Sequence, residues 1–434
     1  VRKDIIGAVL VEERKKQGKR ILDVANELGI GSTTISSMER GLPTVADEKY
    51  IDYAKLLGKA EELFGIEEEM KKRERFLMEE LQHMEDILTG NPCMALEEIE
   101  SFPDLQMFQD VSVFATFLRG RIAFELKRWN KANKLLLKAL TNLDQCPRLA
   151  ASNLRSICLN DLGRLAFYDS DYKTALGYTE QAIDAFEDEG NRKYYKPYLY
   201  LNQVIYLEEL GRDEEACHVL EYLYNNKNQF KANLTVTIQI HEQYSNLLMK
   251  SGSPLKALEY AQNGLKIAWE NREYRRLFSI WSIMGDIFVM LGRAEEAKKR
   301  YQKALSLSNY VLDSPARIGQ TNFEYGKLLL RMDDHTKAEE QLLLAVKYFE
   351  KSTENDSYLI ESLINLGRLK EKNQTNNSKE IFQMADELLS NSKDMKNTSV
   401  DIFIGMCDFY ERNGDKQKFH YYQNLMYQTL KRSV

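Results

Sequence analysis

Small and apolar residues recur at one fixed spacing through the C-terminal two thirds of the chain. Four segments share a frame of a Gly, an Ala twelve residues on and a second Ala seven beyond that: Gly120/Ala132/Ala139, Gly163/Ala175/Ala182, Gly285/Ala297/Ala304 and Gly326/Ala338/Ala345. The residues between follow helical periodicity. Gly weakens a helix interior, so a Gly that recurs there marks a place where space is needed. The frame predicts helical hairpins. The Gly lets two antiparallel helices cross closely, the first Ala packs early in the second helix, and the last Ala faces the next hairpin. Turn sequences fall about seven residues after the Gly position, as at Leu210 to Arg212, Leu291 to Arg293 and Asp169 to Asp171. Weaker copies lie at Ala216, at Ala257, at Gly367 with Ala385 (one residue short) and around Gly414, and a degenerate copy surrounds Ala95. Pro147, Pro197 and Pro315 fall between hairpins, and Pro254 falls where a second helix starts.

This pattern resembles the tetratricopeptide repeat over about residues 111–434, with aromatics such as Trp281 and Tyr301 at family positions. The period, 40 to 43 residues from anchor to anchor, exceeds the family's usual value of about 34, so helices or connections are longer. The resemblance implies an all-α superhelix of about 8–9 hairpins whose concave groove takes a peptide or protein.

The N-terminal segment has a different pattern. From Asp23 to Gly41, Val24, Leu28, Ile30, Ile35 and Met38 form apolar faces, Ala25 is small where two helices cross, and Gly29 permits a positive φ. A later helix, about Lys49 to Leu57, closes the core with Tyr50, Tyr53, Ala54 and Leu57. Residues 5–58 resemble the repressor-type helix-turn-helix family without insertion. The resemblance implies a recognition helix from Ser32 to Met38 that presents Ser32, Thr33, Ser36 and Ser37 to the major groove. Ser32, Thr33 and Ser37 hold base-reading positions. Thr34, Arg40, Lys19 and Arg20 are candidates for phosphate contacts, and Arg14 with Glu39 for an internal ion pair. This recognition face lacks Arg, Asn and Gln, the side chains that pair bidentately with bases. Specificity then leans on DNA shape and dimer spacing, or the domain has drifted from DNA binding.

Together the two parts resemble the cytoplasmic peptide-pheromone receptors of Gram-positive bacteria and their phages (the RRNPP type), and in length and repeat period the NprR kind in particular. The division expected is a DNA-binding domain at 1–66, a connector helix and degenerate first repeat at 67–110, and a peptide-binding and oligomerising repeat domain at 111–434. The resemblance implies a quorum-sensing transcription regulator. A short signalling peptide in the groove would switch a homodimer, or a higher oligomer, on a double-stranded operator. It also implies a second role toward a phosphorelay protein. Polar groove candidates, placed from the repeat frame, are Arg121, Asn160, Arg164, Asn202, Gln239, Asn246, Asp286, Lys327 and Arg368. Asn and Gln suit a peptide backbone, and Arg or Lys its carboxylate. The alternative is a Rap-like protein that sequesters a response regulator or phosphorelay protein with no DNA role.

Composition agrees with a soluble helical protein: 43% apolar and 29% charged residues, with no run of 18 uncharged apolar positions. The N-terminus has no signal-peptide core, and a cytoplasmic location is expected. Net charge is −6, yet residues 1–20 carry seven basic side chains against three acidic ones, a basic tip on an acidic body. The five cysteines are scattered without a Cys-x-x-Cys pair, which reads as reduced core thiols without a metal. No phosphate loop, zinc motif or nucleophile elbow is present, so neither enzyme activity nor a cofactor is expected.

Overall fold

The computed structural model describes all residues except 1–2, 43, 103–104, 107, 227–233, 353–355, 374–376, 392–398 and 433–434, and for Ile5, 61–67, Asp356, Asn391 and Arg432 it describes the backbone alone. Among the described residues, twenty-two α-helices and three short 3-10 turns account for the regular structure, with no strand. The chain divides into two compact units, Val1–Ala216 and Cys217–Val434.

The first unit begins with four helices, α1 (Lys3–Lys16), α2 (Ile21–Leu28), α3 (Ser32–Glu39) and α4 (Asp47–Leu56). Leu10, Val24, Ala25, Ile35, Met38, Tyr50, Tyr53, Ala54 and Leu57 bury together as their core. The backbone amide of Arg20 donates to the Asp23 carboxylate at 2.7 Å, which fixes the start of α2. Gly29, at φ 63°, ends α2 and turns the chain into α3. A Cβ on Gly7 would collide with the Met38 carbonyl, so α1 and α3 touch backbone to backbone.

α5 (Ala60–Leu88) runs unbroken from this small domain into the repeats. Its later turns place Leu77, Leu81, Met84 and Leu88 in one core with α6 (Pro92–Ser101), α7 (Gln109–Glu125) and the hairpins that follow. Next come α8 (Trp129–Leu143), a 3-10 turn (Pro147–Ser152), α9 (Leu154–Tyr168), α10 (Tyr172–Asp184), a second 3-10 turn (Lys193–Tyr195) and α11 (Lys196–Glu209). The boundary between the units falls within α12 (Asp213–Asn226).

The second unit contains the hairpins α13 (Leu234–Lys250) with α14 (Pro254–Glu270), α15 (Tyr274–Met290) with α16 (Ala294–Leu305), α17 (Pro315–Arg331) with α18 (His335–Phe349), α19 (Asp356–Lys372) with α20 (Ser378–Asn391), and α21 (Val400–Arg412) with α22 (Lys416–Arg432). All eight Ala residues of the repeat frame are fully buried. The Gly notch, however, is filled from a position four residues beyond the first Ala. Leu136, Thr179, Tyr301 and Leu342 sit sixteen residues after Gly120, Gly163, Gly285 and Gly326 and press on them, and Phe382 does so fifteen after Gly367. One helical turn past the first Ala, a larger side chain lies on the same face and reaches back into the gap.

The turn seven residues after the notch has one left-handed residue in seven hairpins, and in the hairpin of Gly367 that position lies outside the described residues. It is Gly211, Gly252, Gly292 or Gly414 in four, and Lys127, Ser170 or Asp333 in three. Counting back seven residues identifies Val204, Ser245 and Cys407 as the notch positions of the weaker copies. Neighbouring first helices touch directly, α7 with α9 in the first unit and α13, α15, α17, α19 and α21 in series in the second. Among the described residues the second helices make no comparable contact, so within each unit the first helices line the inside of the curve.

Candidate functional site

Two surfaces carry the candidate residues. The first is the outer face of α3. Ser32 and Thr33 are exposed there, Thr34, Ser36 and Ser37 are half-buried, and Arg40, just past the end of the helix, is exposed. Gly31 precedes α3 and supplies no side-chain cap, so the positive end of the helix faces outward with open N–H groups. The back of α3 is tied down. Arg14 Nε lies 2.5 Å from Glu39 Oε1, its other nitrogen donates to Oε2 at 3.0 Å, and Tyr53 donates to Oε1 at 2.7 Å. The hydrogen bond that Arg14 donates to Glu39 raises the Arg14 pKa further. Burial, with Glu39 adding to it, raises that of Tyr53. The ion pair expected from the helix-turn-helix resemblance is therefore present, and it clamps α1, α3 and α4 together.

The basic surplus of the first twenty residues is smaller in three dimensions than along the chain. Lys3 pairs with Asp47 at 2.8 Å, Lys16 with Glu12 at 2.9 Å and Lys19 with Glu27 at 2.8 Å. Asp47, Glu27 and Glu39 lie outside that sequence window, which is why a count along the chain missed them. Arg2 lies outside the described residues. Arg20 keeps a side chain 89% exposed, 3.7 Å from Asp23. Arg148 bridges Asp4 of α1, at 3.3 Å, to Asp110 of α7, at 3.0 Å, and so ties the small domain to the first hairpin.

The second surface is the inner face of the first helices. Six of the nine groove candidates (Arg121, Arg164, Asn246, Asp286, Lys327 and Arg368) directly follow a notch position, so one register supplies them. In the first unit four candidates come together. Arg121 Nε reaches Asp161 at 3.1 Å and another of its nitrogens lies 3.5 Å from Glu85 of α5. Arg164, stacked 4.2 Å above the Phe124 ring, lies 3.4 Å from the same Asp161. Asn202 donates to Asn160 at 2.7 Å, and Asn160 donates to the Tyr195 hydroxyl at 3.0 Å. Asn160 and Asp161 are almost completely buried. Glu85 is also gripped by Arg192, which donates through two nitrogens and holds the Ser152 carbonyl at 2.8 Å.

In the second unit the Asp286 carboxylate accepts from Tyr301 at 2.6 Å, and burial pushes its pKa up to about 7. Lys327 lies 3.0 Å from Glu324 and 3.9 Å from Glu361, and Arg368 lies 2.7 Å from Asp408. Lys327 and Arg368 share a pocket of about 270 Å3 with Arg331, Glu361, Asp401 and Ile404. Gln239 and Asn246 are half-buried on α13, and the Gln239 Oε1 is buried without a hydrogen-bond partner.

A rule emerges from these pairs: adjacent first helices are cross-linked by polar rungs. The rungs are Arg121–Asp161 and Asn160–Asn202 in the first unit, and Glu242–Arg276, Ser282–Thr321, Lys327–Glu361 and Arg368–Asp408 in the second. Sequence reasoning found one partner of three rungs, both partners of one and neither of two, and it missed the acids Glu85, Asp161, Glu242, Glu361 and Asp408. The signal was available for two of them. Asp161 and Asp408 lie 40 residues after Arg121 and Arg368, one repeat along the chain.

No curated protein sequence matches the chain. Residues 10–64 match the family model described as helix-turn-helix. Among solved structures, a Rap protein complexed with Competence and Sporulation Factor aligns with a TM-score of 0.59 at 13% identity, over 84% of this chain and 98% of that one. The apo form of the quorum sensor NprR from B. thuringiensis aligns at 0.55 and 14%, over 84% and 99%. Aspartyl phosphate phosphatase F from Bacillus subtilis aligns at 0.51 and 14%, over 89% and 94%. No described helix is long and apolar enough to cross a membrane. A helix-turn-helix domain thus leads into a tetratricopeptide-like helical repeat fold of the kind seen in the Rap and NprR structures.

Proposed function

We propose that this chain is a DNA-binding regulator whose operator occupancy is set by a short signalling peptide held on the inner face of the repeats. The observation that carries the reading is the recognition helix. Its hydroxyl-bearing face is open, its N-terminus is free of a side-chain cap, and its back is fixed by Arg14, Glu39 and Tyr53. Ser32, Thr33, Ser36 and Ser37 then face base edges, while Thr34, Arg40, Lys19 and Arg20 take phosphates. One such domain reads one half-site, so a homodimer supplies the second at a fixed spacing. The peptide is held by Arg121, Asn160, Arg164, Asn202, Gln239, Asn246, Asp286, Lys327 and Arg368. It exchanges its backbone amides for part of the rung contacts and so favours one curvature of the stack over another.

The test is selection of operator DNA by the full chain, followed by anisotropy titrations with and without short peptides encoded beside the gene. We expect salt-dependent binding that a cognate peptide shifts at least tenfold. Asn202→Ala with Asn246→Ala should remove the shift and leave peptide-free DNA binding in place. A second reading, sequestration of a response-regulator or phosphorelay protein, draws support from the absence of Arg, Asn and Gln on the recognition face. A chain that binds such a protein and ignores every DNA in the selection would establish it.

A further inference from the structure

We infer that Arg317, with Arg276 and Ser279, forms a carboxylate-binding subsite on the inner face of the second unit, which receives the C-terminal carboxylate of a peptide ligand. The inference rests on the peptide reading above and names the chemistry of one end of the ligand.

The argument begins with a count of charge among three successive first helices. Arg275 at the start of α15 is neutralised by Asp313, with contacts of 2.7 and 2.9 Å, and donates to Ser314 as well. Arg276, beside it, is neutralised by Glu242 of α13 at 3.2 Å. Arg317 in the first turn of α17 has neither acid within ion-pair distance. Its contact is a hydrogen bond of 3.2 Å to the Ser279 hydroxyl. Among the described residues three guanidiniums thus share two carboxylates, and Arg317 is the one without a carboxylate within ion-pair distance.

Its surroundings make that surplus a site. Solvent reaches the Arg317 side chain, yet desolvation by the packed helices around it lowers its pKa, an effect that Glu242 opposes and that Arg276 and Arg275 reinforce. Arg317 therefore borders both open solvent and the packed helices. An anion that enters there regains for Arg317 the hydration it has lost and offsets repulsion from Arg276. The cations that directly follow a notch differ. Arg121 and Arg164 share the buried Asp161, Lys327 lies between Glu324 and Glu361, and Arg368 faces Asp408.

A neighbouring group points to a peptide as the source of the anion. Glu242 is 9% exposed; Arg276 engages its Oε2, and its Oε1 has no hydrogen-bond partner. A ligand that brings a carboxylate for Arg317 and an N–H for Glu242 within one short stretch of chain answers both needs. The end of a peptide carries that pair of groups. Inorganic phosphate at neutral pH supplies the charge and little donor capacity.

The experiment uses the full chain and a defined probe, an equimolar library of synthetic hexapeptides prepared once with free C-termini and once amidated. Retained peptides are counted by mass spectrometry after affinity selection. We expect the wild type to retain the free acids at least tenfold over the amides. Arg317→Gln should lose that preference and Arg317→Lys should keep part of it. Arg275→Gln, which removes a nearby cation already paired with Asp313, should keep it in full, with helicity by circular dichroism unchanged in all three. Retention of free acids and amides alike, or a preference that survives in Arg317→Gln, would overturn the subsite and leave the peptide reading standing. Displacement of the free acids by millimolar inorganic phosphate, with no preference over the amides, would make this a general anion site and overturn the assignment to a peptide end. Retention of no peptide by the wild type would overturn the peptide reading and this inference with it.

Discussion

The recognition helix and the inner face of the repeats both present rows of polar side chains, but those rows carry different loads. On α3 the outward hydroxyls hold nothing together. The fold there is secured from behind, by the apolar core and by Arg14, Glu39 and Tyr53. On the inner face of the first helices the polar side chains are themselves the cross-links. A contact made by α3 with DNA is therefore mostly gain, because the hydroxyl gives up only water. A contact made by a rung residue with a peptide is an exchange, in which one hydrogen bond replaces another and the net effect per bond is small. The first arrangement suits reading and the second suits switching, since a ligand that replaces rungs also changes how neighbouring hairpins are held.

The largest effect that would break this comparison is expected at Glu85. If the inner network carries fold load, Glu85→Ala leaves the buried Arg192 without its carboxylate and should destabilise the first unit by about 3–5 kcal/mol in chemical denaturation. Replacing Glu85 by Leu and Arg192 by Met together should recover most of that loss. A single-site loss below about 1 kcal/mol would mean that the network is ornament on an apolar core, because exposed pairs contribute no more than that.

Next comes the clamp behind the recognition helix. Glu39→Gln removes the charge that Arg14 and Tyr53 share and should destabilise the small domain by about 1–3 kcal/mol. Thermal unfolding of the full chain followed by the environment of Tyr53 would measure it. DNA affinity should fall as well, since α3 loses its fixed orientation.

The outer face should respond in affinity and not in stability. Arg20→Gln with Arg40→Gln is expected to weaken DNA binding across all sequences and to lower the slope of log affinity against log salt by about 2. Thr33→Val should leave the slope alone and change preference at one base pair by about 1 kcal/mol. An unchanged slope in the double variant would put the phosphate contacts elsewhere.

A pH slope is expected from the inner face of the second unit. Burial raises the folded pKa of Asp286 to about 7, against about 3.9 for an unfolded chain. Between those values the folded state holds a proton that the unfolded state has released, so this group's contribution to stability falls as pH rises from about 4 to about 7. Asp286→Asn keeps an acceptor for Tyr301 and removes the slope. Relative to the parent it should gain more stability at pH 8 than at pH 5. Equal differences at the two pH values would place Asp286 in a wetter setting than its hydrogen bond to Tyr301 implies.

The helix-turn-helix was legible almost residue by residue because its determinants are local. Gly29 needs its positive φ from its own turn, and Ala25, Ile35, Tyr50 and Tyr53 pack within one short stretch of chain. The hairpins were legible for the same reason, as the Gly frame and the turn seven residues later repeat within each. The residues that fill the notch were not. Thr179, Tyr301 and Leu342 differ in size and chemistry, and what they share is a position, which no composition pattern reveals. The candidate sites divided along the same line. Exposure of Ser32 and Thr33 followed from helical phase within α3. The commitment of Asn160 to Tyr195 and Asn202 depended on which helix stacks beside α9.

By itself the sequence determined the identity of the elements: an all-helical chain, a helix-turn-helix at one end, hairpins of long period, and one polar register on each first helix. Those properties depend on interactions within about one hairpin, and a one-dimensional pattern can encode them. The tertiary structure decided which polar groups remain available. Glu27, Glu39 and Asp47 pair with three of the seven basic side chains of the tip, Asp161 and Asp408 reach cations forty residues away, and Arg317 is left with a hydroxyl where Arg275 and Arg276 have carboxylates. Charge acts through space, so its balance at any point is set by how the hairpins stack and not by the order of residues along the chain.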